Sequence, residues 1–474
     1  MGDDLTISGG GATAVATDEL FTAAQQLHRL ALEAASLCAE LVSIDRLVSM
    51  NSLGSGNDLS AARRAEFDID HATAMLGAIE AESRGVGGAL SNAAEAYGFS
   101  ERFIGSLGTQ LAADGAAVLG AMTFASAILS PGAMIVGGLA LRGLVAAHVF
   151  EGDPGKASHG AHPSNWLLTN PVTAAAVRAA AMSMDDAMLT ASGLPLPAAQ
   201  LLGDNGIGLV GLPFAAAALM GVGSTVGLFT ETQVRPLAAH SRPVEGPPTG
   251  FADRLSRVPD AGTSDGAQVV VEKYEVPGGP DEFAVYVGGT VTFSPEATTE
   301  PFDMTSNVAN AAGNDGGAFR AVVEAMRLAG VQESSPVTLT GYSEGGGTAA
   351  RIAASGRFDV VGLTTFGGPT GQIPIPASVT TVIIEHSDDI VPALGGTQVN
   401  QQALIVERDV FAGRDIPTQY AVPAHHLEYY EETARLLDAA TSDQVKASAA
   451  RLNAFGAGAT SVTSTAYTFE RVEH

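Results

Sequence analysis

The apolar positions along the chain change their period near residue 268, and the two periods predict two kinds of architecture. Residues 17 to 50 place Leu20, Ala24, Leu27, Ala31, Ala34, Cys38, Leu41 and Val48 at three-and-four spacing, the stripe of a packed amphipathic helix. Asn51, Gly54, Gly56 and Asn57 interrupt it. Asp58 is a good N-cap for a second helix in which Ala62, Ala65, Ile69, Ala72, Leu76, Ile79, Val86, Leu90 and Ala93 keep the same spacing. The pattern predicts an αα-hairpin. Residues 115–141 and 205–230 contain no charged side chain, and each run exceeds the roughly 20 residues that cross a bilayer. Both are diluted by Gly and Ala and broken by a proline, Pro131 and Pro213. Buried core and membrane contact therefore both stand as readings.

Beyond residue 268 the period shortens. Runs rich in β-branched and aromatic residues at 268–276, 283–288, 336–341, 359–366 and 379–386 alternate with helical stretches at about 304–330, 344–356 and 425–440. Such alternation predicts an α/β domain with a mostly parallel sheet and helices on both faces. The expected organisation is an all-α N-terminal half, with a helical hairpin at 1–105 and an Ala/Gly-rich helical region at 106–234. A Pro-rich linker at 235–268, a catalytic domain at 269–445 and a tail at 446–474 follow.

Composition narrows the function. The chain has 474 residues, 46% of them hydrophobic and 16% charged, with 56 glycines, enough for about three domains at roughly 150 residues each. Its formal charge of −27 repels phosphate backbones, so nucleic acid is not an expected partner. Cys38 is the only cysteine, which excludes an intrachain disulfide or a cysteine-based metal or redox motif. No metal or cofactor is expected. The N-terminus is acidic and glycine-rich where a Sec signal needs a basic start and an apolar stretch.

The candidate chemistry centres on GYSEG at 341–345, which fits G-x-S-x-G. GTSDG at 262–266 fits the same pattern, but Ser264 has neither a strand before it nor a helix after it. Ser343 has both, and that context puts a serine on the exposed tip of a strained turn. A serine hydroxyl needs a histidine base and an acid that orients it. Asp389 follows the strand ending at His386, at the carboxyl end where ligands gather in open α/β sheets, with Asp388 as rival. His425 and His426 open a late helix, and His425 is preferred; His474 is terminal. An oxyanion would need prearranged donors. The N–H of Glu344 and the N–H and hydroxyl of Thr290, in GGT at 288–290, are the candidates.

The series GGT (288–290), GYSEGG (341–346), TFGGPTG (365–371), DIVP (389–392) and a late histidine resembles the class 3 lipase family of α/β-hydrolases over about residues 270–440. The resemblance implies an α/β-hydrolase fold, an ester substrate, the triad Ser343, Asp389 and His425, and selects Asp389 over Asp388. Tyr342 stands where the family has histidine, Glu344 adds a negative charge beside the nucleophile, and Gly288 stands where the family has arginine. These departures point away from triglyceride as the substrate.

The hairpin with Tyr97 and Glu101, a Y-x-x-x-[DE] match, resembles substrates of type VII secretion. It implies a secreted or envelope-associated protein with a secretion-machinery or helical partner; a cytoplasmic location is the alternative. GIGLVG at 206–211 fits a dinucleotide-binding pattern, but no strand precedes it, so close helix packing is expected. Asp68, Asp70 and His71 lie among Arg63, Arg64 and Glu66 and read as a solvated face. Beside the serine ester hydrolase stands a second expectation: an exported, membrane-interacting or structural protein with an inactive hydrolase-like half.

Overall fold

A computed structural model of the chain describes residues 5–9, 15–52, 68–77, 79–80, 83, 165–182, 184–191, 202, 211–224, 228–260, 266–293, 296 and 298–472. Tyr97 with Glu101, the apolar run 115–141, Ser264, most of GIGLVG and His474 lie outside them. The chain forms two compact units, Thr13–Gln110 and the remainder.

In the smaller unit, helix α1 spans Val15–Ser52. Ala31 and Ala34 are buried, and the Cys38 thiol donates to the Thr73 carbonyl at 3.7 Å, which ties α1 to the helical residues 68–77. Asp68, Asp70 and His71 are not buried, and no group of His, Cys, Asp and Glu among the described residues could hold a metal ion.

The larger unit is mixed α/β. Its strands are β1 (Thr6–Gly9), β2 (Val234–Pro243), β3 (Val269–Glu275), β4 (Glu282–Val287), β5 (Pro336–Tyr342), β6 (Asp359–Phe366), β7 (Thr380–His386), β8 (Leu404–Arg408) and β9 (Ser461–Arg471). They form one nine-stranded sheet in the order β1-β8-β7-β6-β5-β4-β3-β9-β2. Strands β4 to β8 are parallel neighbours, whereas β1, β2, β3 and β9 join antiparallel.

The helices of this unit that matter below are α2 (Pro171–Met182), α3 (Met184–Ala191), α4 (Leu212–Ser224), α5 (Phe251–Ser256), α6 (Met304–Ala311), α7 (Gly317–Ala329), α8 (Glu344–Ser355), α9 (Ile390–Ala393), α10 (Leu427–Asp438) and α11 (Asp443–Ala454). Period-two alternation along the strands feeds two cores. Val269, Val271, Phe283, Val285 and Val287 pack with Phe319 and Met326 of α7 and with Ile352 of α8. Tyr274, Ala284 and Tyr286 face the other way, against Phe251 of α5, Tyr430 of α10 and Leu452 of α11. Each fully buried side chain of this size contributes about 2 kcal/mol.

Several expectations change. Residues 235–268 are not a free linker, because β2 and α5 fall within or overlap them. Pro236 and Pro243 are tolerated since β2 is the last strand of the sheet, where a missing N–H costs no ladder bond, and the register slips between Pro236 and Ala238. The expected tail holds α11 and β9, and β9 pairs on both sides. The N-terminal half is not purely helical, because Thr6–Gly9 pair with Leu404–Glu407. The single helix expected at 304–330 is two, parted at Gly313 (φ 76°), a left-handed residue that ends α6. Within the apolar run 205–230, α4 has 13 residues. Among the described residues no helix is long and apolar enough to cross a membrane.

Candidate functional site

Ser343 lies between the end of β5 and the start of α8, with φ 55° and ψ −125°. A non-glycine residue rarely adopts this backbone, and the surrounding glycines explain how it is held. A Cβ on Gly341 would stand 2.1 Å from the Gly345 carbonyl oxygen, and one on Gly345 would stand 2.2 Å from that of Val287. The turn can close only with glycine at both places. The Ser343 N–H donates to the Phe366 carbonyl at 2.9 Å, which pins the turn to the end of β6.

His425 closes a short 3-10 turn, Pro423–His425, just before α10. Its Nε2 lies 2.8 Å from Ser343 Oγ and its Nδ1 2.6 Å from Asp389 Oδ2. Asp389 follows β7 and caps α9, where its Oδ1 accepts the Val391 N–H at 2.9 Å. The Tyr430 hydroxyl donates to Asp389 Oδ2 at 2.9 Å. Three donors thus hold one carboxylate in place.

The structure therefore brings Ser343, His425 and Asp389 together. Asp388 faces elsewhere and accepts the N–H groups of Val410 and Phe411; burial and then Asp409 push its carboxyl up. His426 is the N-cap residue of α10, with its ring stacked on Tyr420 at 3.9 Å.

Across Ser343 lies the loop after β4. A Cβ on Gly289 would come within 3.2 Å of Ser343 Cβ, so Gly289, the residue before Thr290, packs directly against the serine. Neither the Thr290 N–H nor the Glu344 N–H donates to a backbone carbonyl, and Glu344 begins α8, where N–H groups lack helical partners. The Thr290 Oγ1 accepts from Asn307 Nδ2 at 2.9 Å. Gly288 could not be the arginine of the resembled family: its Cβ would meet the Pro259 carbonyl oxygen at 2.9 Å.

The contacts of Tyr342, Tyr430 and His386 escaped the motif reading. The ring of Tyr342 stacks on His425 at 5.3 Å, and its hydroxyl donates to the His425 carbonyl. Tyr430 stacks on His386 at 3.7 Å. His386 in turn bridges the Ala424 carbonyl, 2.7 Å away, and the Thr433 hydroxyl, 2.8 Å away. Burial pulls its pKa down to about 4, so it is neutral near pH 7. The signal for Tyr430 was its place on the α10 stripe with Ala434 and Leu437: a buried tyrosine whose hydroxyl needs a partner.

Chemically, the arrangement can move a proton from Ser343 Oγ to a histidine held in one tautomer, next to two free N–H groups. No family model, curated protein or solved structure matches the chain.

Proposed function

We propose that the protein is a serine hydrolase of carboxylic esters, built on an α/β-hydrolase domain. The observation that carries this reading is the unbroken path from Ser343 Oγ through His425 to Asp389, at 2.8 and 2.6 Å, with the serine raised on a strained strand-to-helix turn.

As Ser343 Oγ attacks the ester carbonyl carbon, His425 Nε2 takes its proton. The carbonyl oxygen becomes an oxyanion, for which the N–H groups of Glu344 and Thr290 would be the donors. Collapse breaks the bond to the alkoxide, and His425 returns the proton so that an alcohol leaves. Water then attacks the acyl-enzyme, gives its proton to His425, and the acid departs as Ser343 Oγ is reprotonated. Asp389 keeps Nδ1 protonated throughout and stabilises the imidazolium. The resemblance to class 3 lipases supports the same assignment and the same order of residues.

Labelling with a fluorophosphonate probe tests it. The wild type and Ser264→Ala should label equally and Ser343→Ala not at all. A folded wild type that does not label would remove the reading and favour an interaction protein with an inactive hydrolase-like half.

A further inference from the structure

Glu344 is the residue after Ser343, yet its side chain turns away from solvent: it is 1% exposed. Among the described residues neither carboxyl oxygen has a partner in hydrogen-bond geometry. The Thr290 hydroxyl lies close enough to favour its ionised form slightly, without reaching hydrogen-bond geometry. A buried carboxylate without donors costs several kcal/mol, whereas a carboxylic acid there costs far less.

The groups facing it reinforce the choice. Asp303 and Glu300, from the segment leading into α6, add negative charge, and Arg471 of β9 offsets it in part. Arg471 is already committed: its Nη2 donates to Asp303 Oδ1 at 2.9 Å and to Glu231 Oε1 at 3.1 Å. Burial first, and then Asp303, push the Glu344 carboxyl well above the usual carboxylate range. Across Ser343 lie Asp389 and its partner His425.

Thr290 makes this matter. Its Oγ1 accepts from Asn307 Nδ2, and the orientation of that amide is fixed because Nδ2 also donates to the Asp303 carbonyl at 3.2 Å. The hydroxyl hydrogen is thus the one donor that Thr290 can still direct. A Glu344 carboxylate would draw that hydrogen to itself. A neutral Glu344 leaves it free to turn towards Ser343.

We propose that Glu344 is a positioning residue that works as a neutral acid: protonated, it leaves the Thr290 hydroxyl to stabilise the oxyanion, and its ionisation turns that donor away and shuts the site down. The inference rests on the hydrolase reading above and assigns the alkaline limit of the reaction to a group outside the triad.

The test is the second-order labelling rate constant with a fluorophosphonate from roughly pH 5 to 10, for wild type and Glu344→Gln, with far-UV circular dichroism at each pH. The amide is neutral at every pH. The wild-type rate should fall about tenfold per pH unit on the alkaline side, while Glu344→Gln stays within about twofold of its plateau; the acid limb should be shared. Thr290→Val, which lacks the hydroxyl, should label slowly and also lose the alkaline limb. Three results would overturn the proposal: superimposable profiles in wild type and Glu344→Gln, a wild type without an alkaline limb, or a limb that coincides with loss of the dichroism signal. Absence of labelling in wild type at every pH is a different failure, because it removes the hydrolase reading itself.

Discussion

Two buried carboxyls flank Ser343, and their surroundings are opposite. Asp389 and Glu344 are each 1% exposed, but Asp389 accepts from Val391, Tyr430 and His425, whereas Glu344 accepts from none. Burial alone therefore does not decide what a carboxyl does. The donors that reach it do: they hold the Asp389 carboxyl against His425, whereas the Glu344 carboxyl is left to burial and Asp303, which push it well above the usual carboxylate range.

The largest effect that would sharpen this contrast is on the donor-rich side. Asp389→Asn should lower the fluorophosphonate labelling rate by about 10⁴-fold with the fold intact, because an amide can present its N–H to Nδ1 and stabilise the wrong tautomer. A loss below about tenfold would mean that the Asp389 charge is not what holds His425.

On the other side, the contrast can be broken by removing the cation. Arg471 pairs with Asp303 and Glu231, and Arg471→Met should cost about 3–5 kcal/mol in chemical denaturation by leaving those carboxylates unpaired. A cost under about 1 kcal/mol would show that the acids simply take up protons.

His386 gives a stability signature with a defined sign. Its folded pKa, about 4, lies below the usual histidine value of about 6.5, so the unfolded chain binds its proton first. The contribution is fully present above about pH 6.5 and is lost as pH falls through about 4, of order 3 kcal/mol over that window. His386→Gln should flatten the stability-versus-pH curve there; an unchanged slope would place the titration elsewhere.

The smallest effect concerns Tyr430. Tyr430→Phe removes one of the donors to Asp389 and should lower the labelling rate about tenfold, the worth of a hydrogen bond to a charged group. If it acts by supporting the carboxylate, the rate should fall with the melting temperature unchanged. Loss of melting temperature with an unaltered labelling rate would make it a packing residue only.

How much of this could be read from the residues differs by side. Ser343, His425 and Asp389 were legible because their chemistry is written in short motifs after strands, and the parallel core was legible because β4 to β7 are apolar runs bounded by turns. Glu344 was visible as a backbone donor and as an acidic side chain beside the nucleophile, not as an isolated buried carboxyl. Its isolation depends on Asp303 and Arg471, which are remote in the chain, and no local pattern announces a missing partner. The same holds at the sheet margin: SVTSTAYTFER alternates Val462, Ser464, Tyr467, Phe469 and Arg471 inward, but with small polar residues at buried places it reads as a tail. β2 was hidden by its prolines, which a last strand can carry and an inner strand cannot.

The position of β9 also fixes an order of assembly. Val269 pairs with Tyr467 and Val234 with Arg471, so the sheet joins early and late stretches of the chain across the whole of the parallel core. Closing such distant pairs is slow, since the loop entropy falls due before any contact repays it. β2, with β9 as its one neighbour in the sheet, has nothing to bind until β9 arrives. During synthesis the central strands can gather around α7 and α8 first, while β2 and the open side of β3 stay unsatisfied edges, exposed to other chains for as long as the final strand is missing.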